Sequence, residues 1–308
     1  MKFKTLIPVL CCIVAVFCLA GVSFAQTLPD NPPVDGQMVR LDAKRLWKMS
    51  CLPNLPMQNT EKIAENMRYP SISPDGRRVV MFVKHDDGRN ALHEWKKDTR
   101  EIRELIRHED VSNFVTWDKS GLLNMRQRSN PFFRNAVQLR YDVEPHKLSL
   151  RDKKPITEST FTAYDEDDII ILESKKTKTL QAISDNRADR YYGPVVSPDE
   201  RFVVFNGLTS GVHLFDIEAN AVVYIGSNGT SPAFSPDGRY LIYAQTTDDG
   251  NEVTSGDFIL VDLDKHSWRV ISNPNHEIRL NATLGNHAGS IAYATSDGTS
   301  WIATLPLE

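Results

Sequence analysis

Ser235-Pro236-Asp237-Gly238-Arg239, running straight into Tyr240-Leu241-Ile242-Tyr243, is the stretch whose reading decides the fold. The phrase occurs twice more. Ser73-Pro74-Asp75-Gly76-Arg77 leads to Val79-Val80-Met81-Phe82, and Ser197-Pro198-Asp199-Glu200-Arg201 leads to Phe202-Val203-Val204-Phe205. Proline presets φ for the first central position of a turn. Aspartate tolerates the second and accepts nearby backbone N–H bonds, and glycine takes a conformation other residues resist. Pro74, Asp75, Gly76, Pro198, Asp199, Pro236, Asp237 and Gly238 are therefore read as structural turn residues. A turn and an apolar strand, repeated tens of residues apart, mark a repeat architecture.

Outward from Ser235 the unit has four strands. Pro232-Ala233-Phe234 precedes the turn and Tyr240 to Gln245 follows it. Asp248-Asp249-Gly250-Asn251 turns the chain into Phe258 to Leu263, and Asp264-Lys265-His266-Ser267 turns it into Trp268 to Ile271. Short antiparallel strands with turn residues between them make one blade of a propeller. The third-and-fourth-strand pair recurs at Ala91–Trp95 with Glu101–Leu105, Val137–Asp142 with Lys147–Leu150, Ile169–Glu173 with Leu180–Ile183, and His213–Ile217 with Val222–Ile225. Ser300 to Thr304 supplies a sixth third strand. Degenerate first turns are assigned to Trp117–Gly121, Tyr164–Asp167 and Asn286–Gly289. The fold class expected is all-β, a six-bladed β-propeller with blades of four antiparallel strands. The blade at Phe161 to Ser184 is abbreviated. The last blade lacks a fourth strand, and the expectation is that Met38-Val39-Arg40-Leu41 pairs beside Trp301 to cover that edge. Asp42 to Met49, with Leu46 and Trp47 as apolar anchors, is a helix candidate.

These residues resemble the TolB-type β-propeller repeat, in which an apolar strand, Ser-Pro-Asp-Gly-Lys/Arg, a second strand, a Gly-Asn turn and a strand ending in Asp follow one another. Ser235 to Asp262 matches nearly throughout, and the likeness extends from about Tyr69 onward. The resemblance implies the fold but no single activity. The same repeat occurs in periplasmic scaffolds, in the propeller halves of prolyl-oligopeptidase-like peptidases and in some lyases. The stretch from Gln26 to Arg68 is too short for the additional α/β domain of TolB itself. No G-x-S-x-G nucleophile elbow of a peptidase is present. A stand-alone propeller is expected.

The start, Met1-Lys2-Phe3-Lys4 with an apolar run from Leu6 to Leu19 and small residues at Ser23 and Ala25, reads as a signal peptide over 1–25. Residues 26–60 then form a linker and N-terminal arm, and 61–308 the propeller. The apolar run is shorter than the roughly 20 residues of a spanning helix, so no membrane span is expected after cleavage. Cys11, Cys12 and Cys18 leave with the signal, and Cys51 alone cannot form an internal disulfide. Net charge moves from −4 to about −6 on cleavage. That balance gives no basic face for nucleic acid.

The eight histidines form neither H-x-x-x-H nor H-E-x-x-H, so no catalytic residue, metal or other cofactor is assigned. Asp248 to Glu252 does not have the spacing of a calcium loop and reads as a hairpin turn. The candidate binding residues sit in loops ahead of first strands, at one channel mouth: His108, Glu109, Asp110, Arg187, Arg190, Tyr191, Tyr192, His276, Glu277 and Arg279. Arginine and tyrosine are enriched in binding centres. The function expected is a non-enzymatic protein- or peptide-binding scaffold in the cell envelope, periplasmic or secreted and monomeric. The alternative is a propeller enzyme, a glycan lyase or hydrolase, using histidines and carboxylates at the same mouth.

Overall fold

The computed structural model describes residues 46–108, 111, 113, 115–117, 123–126, 138–141, 159–184 and 189–307. The signal segment, Met38–Leu41, Lys147–Leu150, Glu109, Asp110 and Arg187 lie outside the described residues. Regular structure among those described is β throughout, apart from a short 3-10 turn at Asn286–Ala288. None of it is a helix long and apolar enough to cross a membrane.

The strands form six sheets in chain order. The first holds Arg68–Ile72, Arg78–Lys84, Asn90–Lys96 and Ile102–His108. The second holds Val115–Trp117, Leu123–Arg126 and Gln138–Tyr141; the third, Phe161–Glu166, Ile169–Ser174 and Thr179–Ala182. The fourth holds Tyr191–Val196, Phe202–Gly207, Gly211–Asp216 and Ala221–Gly226. The fifth holds Gly229–Phe234, Tyr240–Asp248, Val253–Asp262 and Ser267–Ile271. The sixth holds Arg279–Leu284, Ser290–Thr295 and Ser300–Thr304, with Gln58–Ala64 added at its edge. The third sheet is three-stranded, as its abbreviated sequence implies. Tyr164–Glu166, expected in a first turn, instead belongs to a strand that packs on Tyr191–Val196, and the turn is Asp167-Asp168.

The third to sixth sheets pack on one another in succession, the second packs on the first, and the sixth returns to the first: Arg279–Leu284 and Ser290–Thr295 lie against Arg68–Ile72. Side chains of a strand alternate between faces, and here both faces are buried. Val203 and Phe205 pack with Ile170 and Leu172 of the third sheet, while Phe202 and Val204 pack with Leu241 and Ile259 of the fifth. Val79 and Met81 meet Ile302 of the sixth sheet, and Val80 meets Val115 and Leu123 of the second. A strand buried on both sides must be apolar at every position. That is why the second strands read as unbroken runs.

The Ser-Pro-Asp phrase forms the same hydrogen-bonded hook three times. Ser235 Oγ donates to Asp237 Oδ1 at 2.5 Å and accepts from Tyr240 N at 2.9 Å, while Asp237 Oδ1 accepts from Arg239 N at 3.2 Å. Ser73 with Asp75 and Ser197 with Asp199 repeat each of these bonds. The fourth position is left-handed, with φ of 71° at Gly76, 77° at Gly238 and 59° at Glu200. Glu200 lacks glycine's freedom there, and its carboxylate accepts Thr160 N at 2.7 Å, tying the turn to the third sheet.

A second repeated device lies four residues before each hook. Tyr69, Gly193, Ser231 and Asn281 all have φ between 52° and 62°, and the pairing of each first strand slips there. These are β-bulges, which add a residue and re-aim the strand. Pro70, Pro194 and Pro232 follow three of them, and a proline has no N–H to lose from the ladder.

The last sheet is closed differently from the expectation. Gln58–Ala64 pairs antiparallel with Ser300–Thr304, with Lys62 opposite Trp301, so the position assigned to Met38–Leu41 is taken by a later segment. The paired strand begins at Gln58, inside the stretch 26–60 expected to be arm. Ahead of it, Ser50–Cys51 adds parallel to Ser267–Trp268, and Leu55 N donates to Val270 O at 2.9 Å. Residues 46–49 are not helical. Trp47 and Met49, two apart, both pack on the cluster between the fourth and fifth sheets, which is the spacing of extended chain. Leu46 is exposed.

Asp237→Ala should destabilise the fold by about 1–3 kcal/mol, since it strands the buried Ser235 hydroxyl and the Arg239 amide. Urea unfolding checks this, and an unchanged midpoint would refute the role given to the hook. Ile63, buried against Ile302 and Trp95, tests the closing strand: Ile63→Ala should cost about 2–4 kcal/mol, whereas a free-swinging arm would show almost no loss.

Candidate functional site

With strands in the order first, second, third, fourth, the loop leading into a first strand shares one end of the sheet with the second-to-third hairpin. The Ser-Pro-Asp turns occupy the other end. Hydrogen bonds join the two loop types: Leu208 N to Arg190 O at 2.9 Å, Thr246 N to Asn228 O at 3.0 Å, and Ser296 N to Ile278 O at 3.0 Å.

The candidate residues divide on this framework. Arg190 is exposed and its Nε donates to Asp168 Oδ2 at 3.0 Å, and Tyr192 beside it is 43% exposed. Tyr191 is a correction. It faces the core, edge-on to Phe205 and His213, and is 2% exposed. Neighbouring positions on a strand face opposite ways, so one tyrosine of the pair goes inward. Arg279 is a second correction, at 3% exposed. Its Nη1 donates to Ser272 O at 2.8 Å, Glu277 Oε2 lies 3.5 Å from its Nε, and its guanidinium covers the Tyr293 ring. Its charge is therefore answered inside the fold. His276 is exposed in a turn held by Asn273, with φ of 52°. His108 ends the fourth strand of the first sheet, opposite Asn90. The Asp248–Glu252 stretch is a hairpin turn whose carboxylates cap its own amides, Asp248 to Gly250 N and Asp249 to Asn251 N and Glu252 N.

Other residues at this end were not singled out from sequence. Tyr69, Tyr192, Leu208, Ile225 and Val253 are five of the seven exposed large apolar residues among those described, and all five lie at the loop end. Next to Leu208 runs a partly buried polar chain. Asp189 accepts Ser210 Oγ at 2.6 Å, Ser210 N at 2.7 Å, Thr209 N at 2.9 Å and Arg190 N at 2.8 Å. Ser210 Oγ then lies 2.7 Å from His213 Nε2, and the His213 ring stacks on Phe205. Partial burial works to raise the Asp189 pKa, but the bonds from Ser210, Thr209 and Arg190 outweigh it and hold the carboxyl at about 2. Burial pushes His213 down to about 4, against the pull of the Asp189 carboxylate. Aspartate, serine and histidine are present, but in the wrong order for catalysis. The serine proton is given to Asp189, so His213 Nε2 must carry its own proton to Ser210 and cannot act as base toward it. His213 Nδ1 is buried and has no partner among the described residues. The cluster is an anchor for the Thr209–Ser210 hairpin. Among the described residues no three His, Cys, Asp or Glu side chains are grouped to hold a metal ion.

No protein-family model and no curated protein matches the chain. Solved structures do. A gluconolactonase from Xanthomonas campestris is 15% identical over 80% of this chain and 89% of that one, with a TM-score of 0.47. The Swd1 β-propeller domain from Myceliophteria thermophila is 12% identical over 80% and 98%, with a TM-score of 0.46. TolB from Acinetobacter baumannii is 9% identical over 78% of this chain and 54% of its own length, with a TM-score of 0.35. The likeness is one of fold alone.

His213 should make stability depend on pH. Its folded pKa of about 4 lies below the 6.5 of a free histidine, so the unfolded chain takes up the proton first. Stability is complete above 6.5 and falls as pH drops toward 4, by on the order of 3 kcal/mol from this group. Urea titrations between pH 7 and 4 should show that loss, and His213→Phe, which keeps the stack on Phe205, should flatten it. An identical slope in the variant would exclude His213 as the source.

Proposed function

We propose that the chain is an exported, six-bladed, TolB-like propeller that works by binding. Its partner is a protein segment or peptide of the cell envelope, met at the loop end of the sheets, where six blades would bring their lead-in loops to one channel mouth. The observation that carries the reading is the concentration of exposed Tyr69, Tyr192, Leu208, Ile225 and Val253 at that end, beside Arg190. Exposed apolar and aromatic side chains rimmed by charge mark interaction surfaces. Loops on a rigid scaffold are where binding usually resides. Arg190, though held by Asp168, keeps most of its guanidinium surface open to a peptide carboxylate. Export rests on the signal-like start. The inverted Asp189–Ser210–His213 order weighs against a hydrolytic role for that cluster.

The test is a paired pull-down from envelope extract. Arg190→Ala with Tyr192→Ala should remove the main captured partner. Arg77→Glu with Glu218→Lys, exposed charges at the turn end, should leave it. If both pairs act alike the loop end is not the binding surface, and turnover of a glycan by the purified protein would replace the scaffold with an enzyme.

A further inference from the structure

The turn end carries a feature the binding surface does not use. A cavity of about 310 Å³ opens between the fifth sheet and the chain following the sixth. Its floor consists of two cross-strand rungs, two residues apart and so on the same face of the sheet. Tyr240, Asp262 and Ser267 are paired across three strands, and Leu260 pairs with Arg269 on the next rung of the same face. Lys265, Pro306 and Leu307 complete the lining.

The charges do not balance. Asp262 is already satisfied: Arg239 Nη2 donates to it at 2.9 Å, and the amides of Asp264 and Lys265 donate at 3.1 and 3.0 Å. Lys265 and Arg269 have no carboxylate partner among the described residues. Ser267 is 4% exposed, and its hydroxyl has no hydrogen-bond partner there. Burial, helped by the Asp262 carboxylate, raises the pKa of the Tyr240 phenol, so it stays a protonated donor. A buried hydroxyl without a partner costs free energy that a ligand would recover. Two unpaired cations beside two hydroxyl donors call for an anion, and the flat guanidinium fork matches a carboxylate with two parallel bonds. Leu260, Pro306 and Leu307 supply the apolar part of the lining.

We propose that this cavity is a binding site for a small carboxylate with a short apolar tail. The carboxylate lies against Arg269 and Lys265 and accepts from Ser267, and the tail lies on Leu260 and Leu307. The volume is at the small end of the range for small-molecule sites, roughly 300–1,000 Å³, which suits a short chain and not a nucleotide.

Calorimetric titration of the full chain with acetate, butyrate and hexanoate at constant ionic strength tests it. Affinity should rise about two- to fourfold for each added methylene. Lys265→Gln with Arg269→Gln should abolish binding, both side chains being at least partly exposed and removable without opening a core cavity. Ser267→Ala should weaken binding severalfold without lowering the thermal midpoint, since no internal bond is lost. No binding by any of the three acids, or equal binding by the double variant, would overturn the site. Inorganic phosphate binding more tightly than butyrate would overturn the carboxylate assignment.

Discussion

A serine hydroxyl sealed at the root of a turn is the constraint on which the sheets depend. Ser73, Ser197 and Ser235 are 0, 2 and 0% exposed. Each gives its proton to an aspartate two residues on and takes the N–H of the residue five on, which begins the second strand. At such burial neither group can turn to water, so the pair fixes where the first strand ends and the second begins. That sets the register of the sheet, and a slip of one residue would exchange its two apolar faces. The hooks also hold one another. A Cβ on Gly238 would lie 2.7 Å from the Asp199 carboxylate. Asp237 accepts the amide of His287 at 3.1 Å, and Asn286 N donates to Pro74 O at 2.9 Å. The fourth, fifth, sixth and first sheets are thus linked turn to turn. In the sixth sheet Gly285 stands in the serine position, and Ser290 Oγ fills the space its side chain would need.

The seam between the sixth and first sheets shows how such an arrangement joins without a shared ladder. Thr283 Oγ1 donates to Pro70 O at 3.0 Å and accepts from Ile72 N at 3.1 Å. Ser300 Oγ donates to Met67 O at 2.6 Å, and Trp117 Nε1 of the second sheet donates to Ser71 O at 3.0 Å. Side chains stand in where backbone cannot reach backbone. Proline at position 70 leaves its carbonyl free while giving up only an N–H that the bulge at Tyr69 has already displaced.

The sequence was most legible where one side-chain type was required. Second strands packed on both faces had to be apolar throughout, and two of the three hooks carry glycine at the left-handed position. The closing strand, Gln58-Asn59-Thr60-Glu61-Lys62-Ile63-Ala64, offers no such signal. Only Ile63 and Ala64 are buried, and an edge strand does well to carry charge. Met38–Leu41 looked more like a strand for the reason that makes it a poorer guide, its apolar composition. The bulges were hidden because one extra residue leaves no compositional trace, although a proline three residues before each phrase (Pro70, Pro194, Pro232) repeats visibly once its meaning is known. At the site, composition singled out tyrosine and arginine but could not orient them. Tyr191 and Tyr192 differ by one position and by the whole thickness of the sheet. Arg279 is buried because the Glu277 carboxylate and the Tyr293 ring answer its charge, and Tyr293 is fourteen residues away in sequence.

The two ends of the sheets are consequently under different physical demands. At the turn end the hooks spend their polar groups on the fold itself, so a change there is first a change in stability. At the loop end the framework is satisfied one layer down. Asp189 holds the Thr209–Ser210 hairpin, Ser210 is held by His213, and His213 is clamped flat on Phe205. Leu208, Arg190 and Tyr192 lie beside that layer with exposed side chains. A surface carried on loops already ordered from below loses little conformational freedom when it meets a partner, and the cost of ordering is a large part of what weakens association. In the proposed binding role the neutral, buried His213 would act indirectly: by keeping the hairpin rigid it would let a few exposed aromatic and apolar side chains suffice.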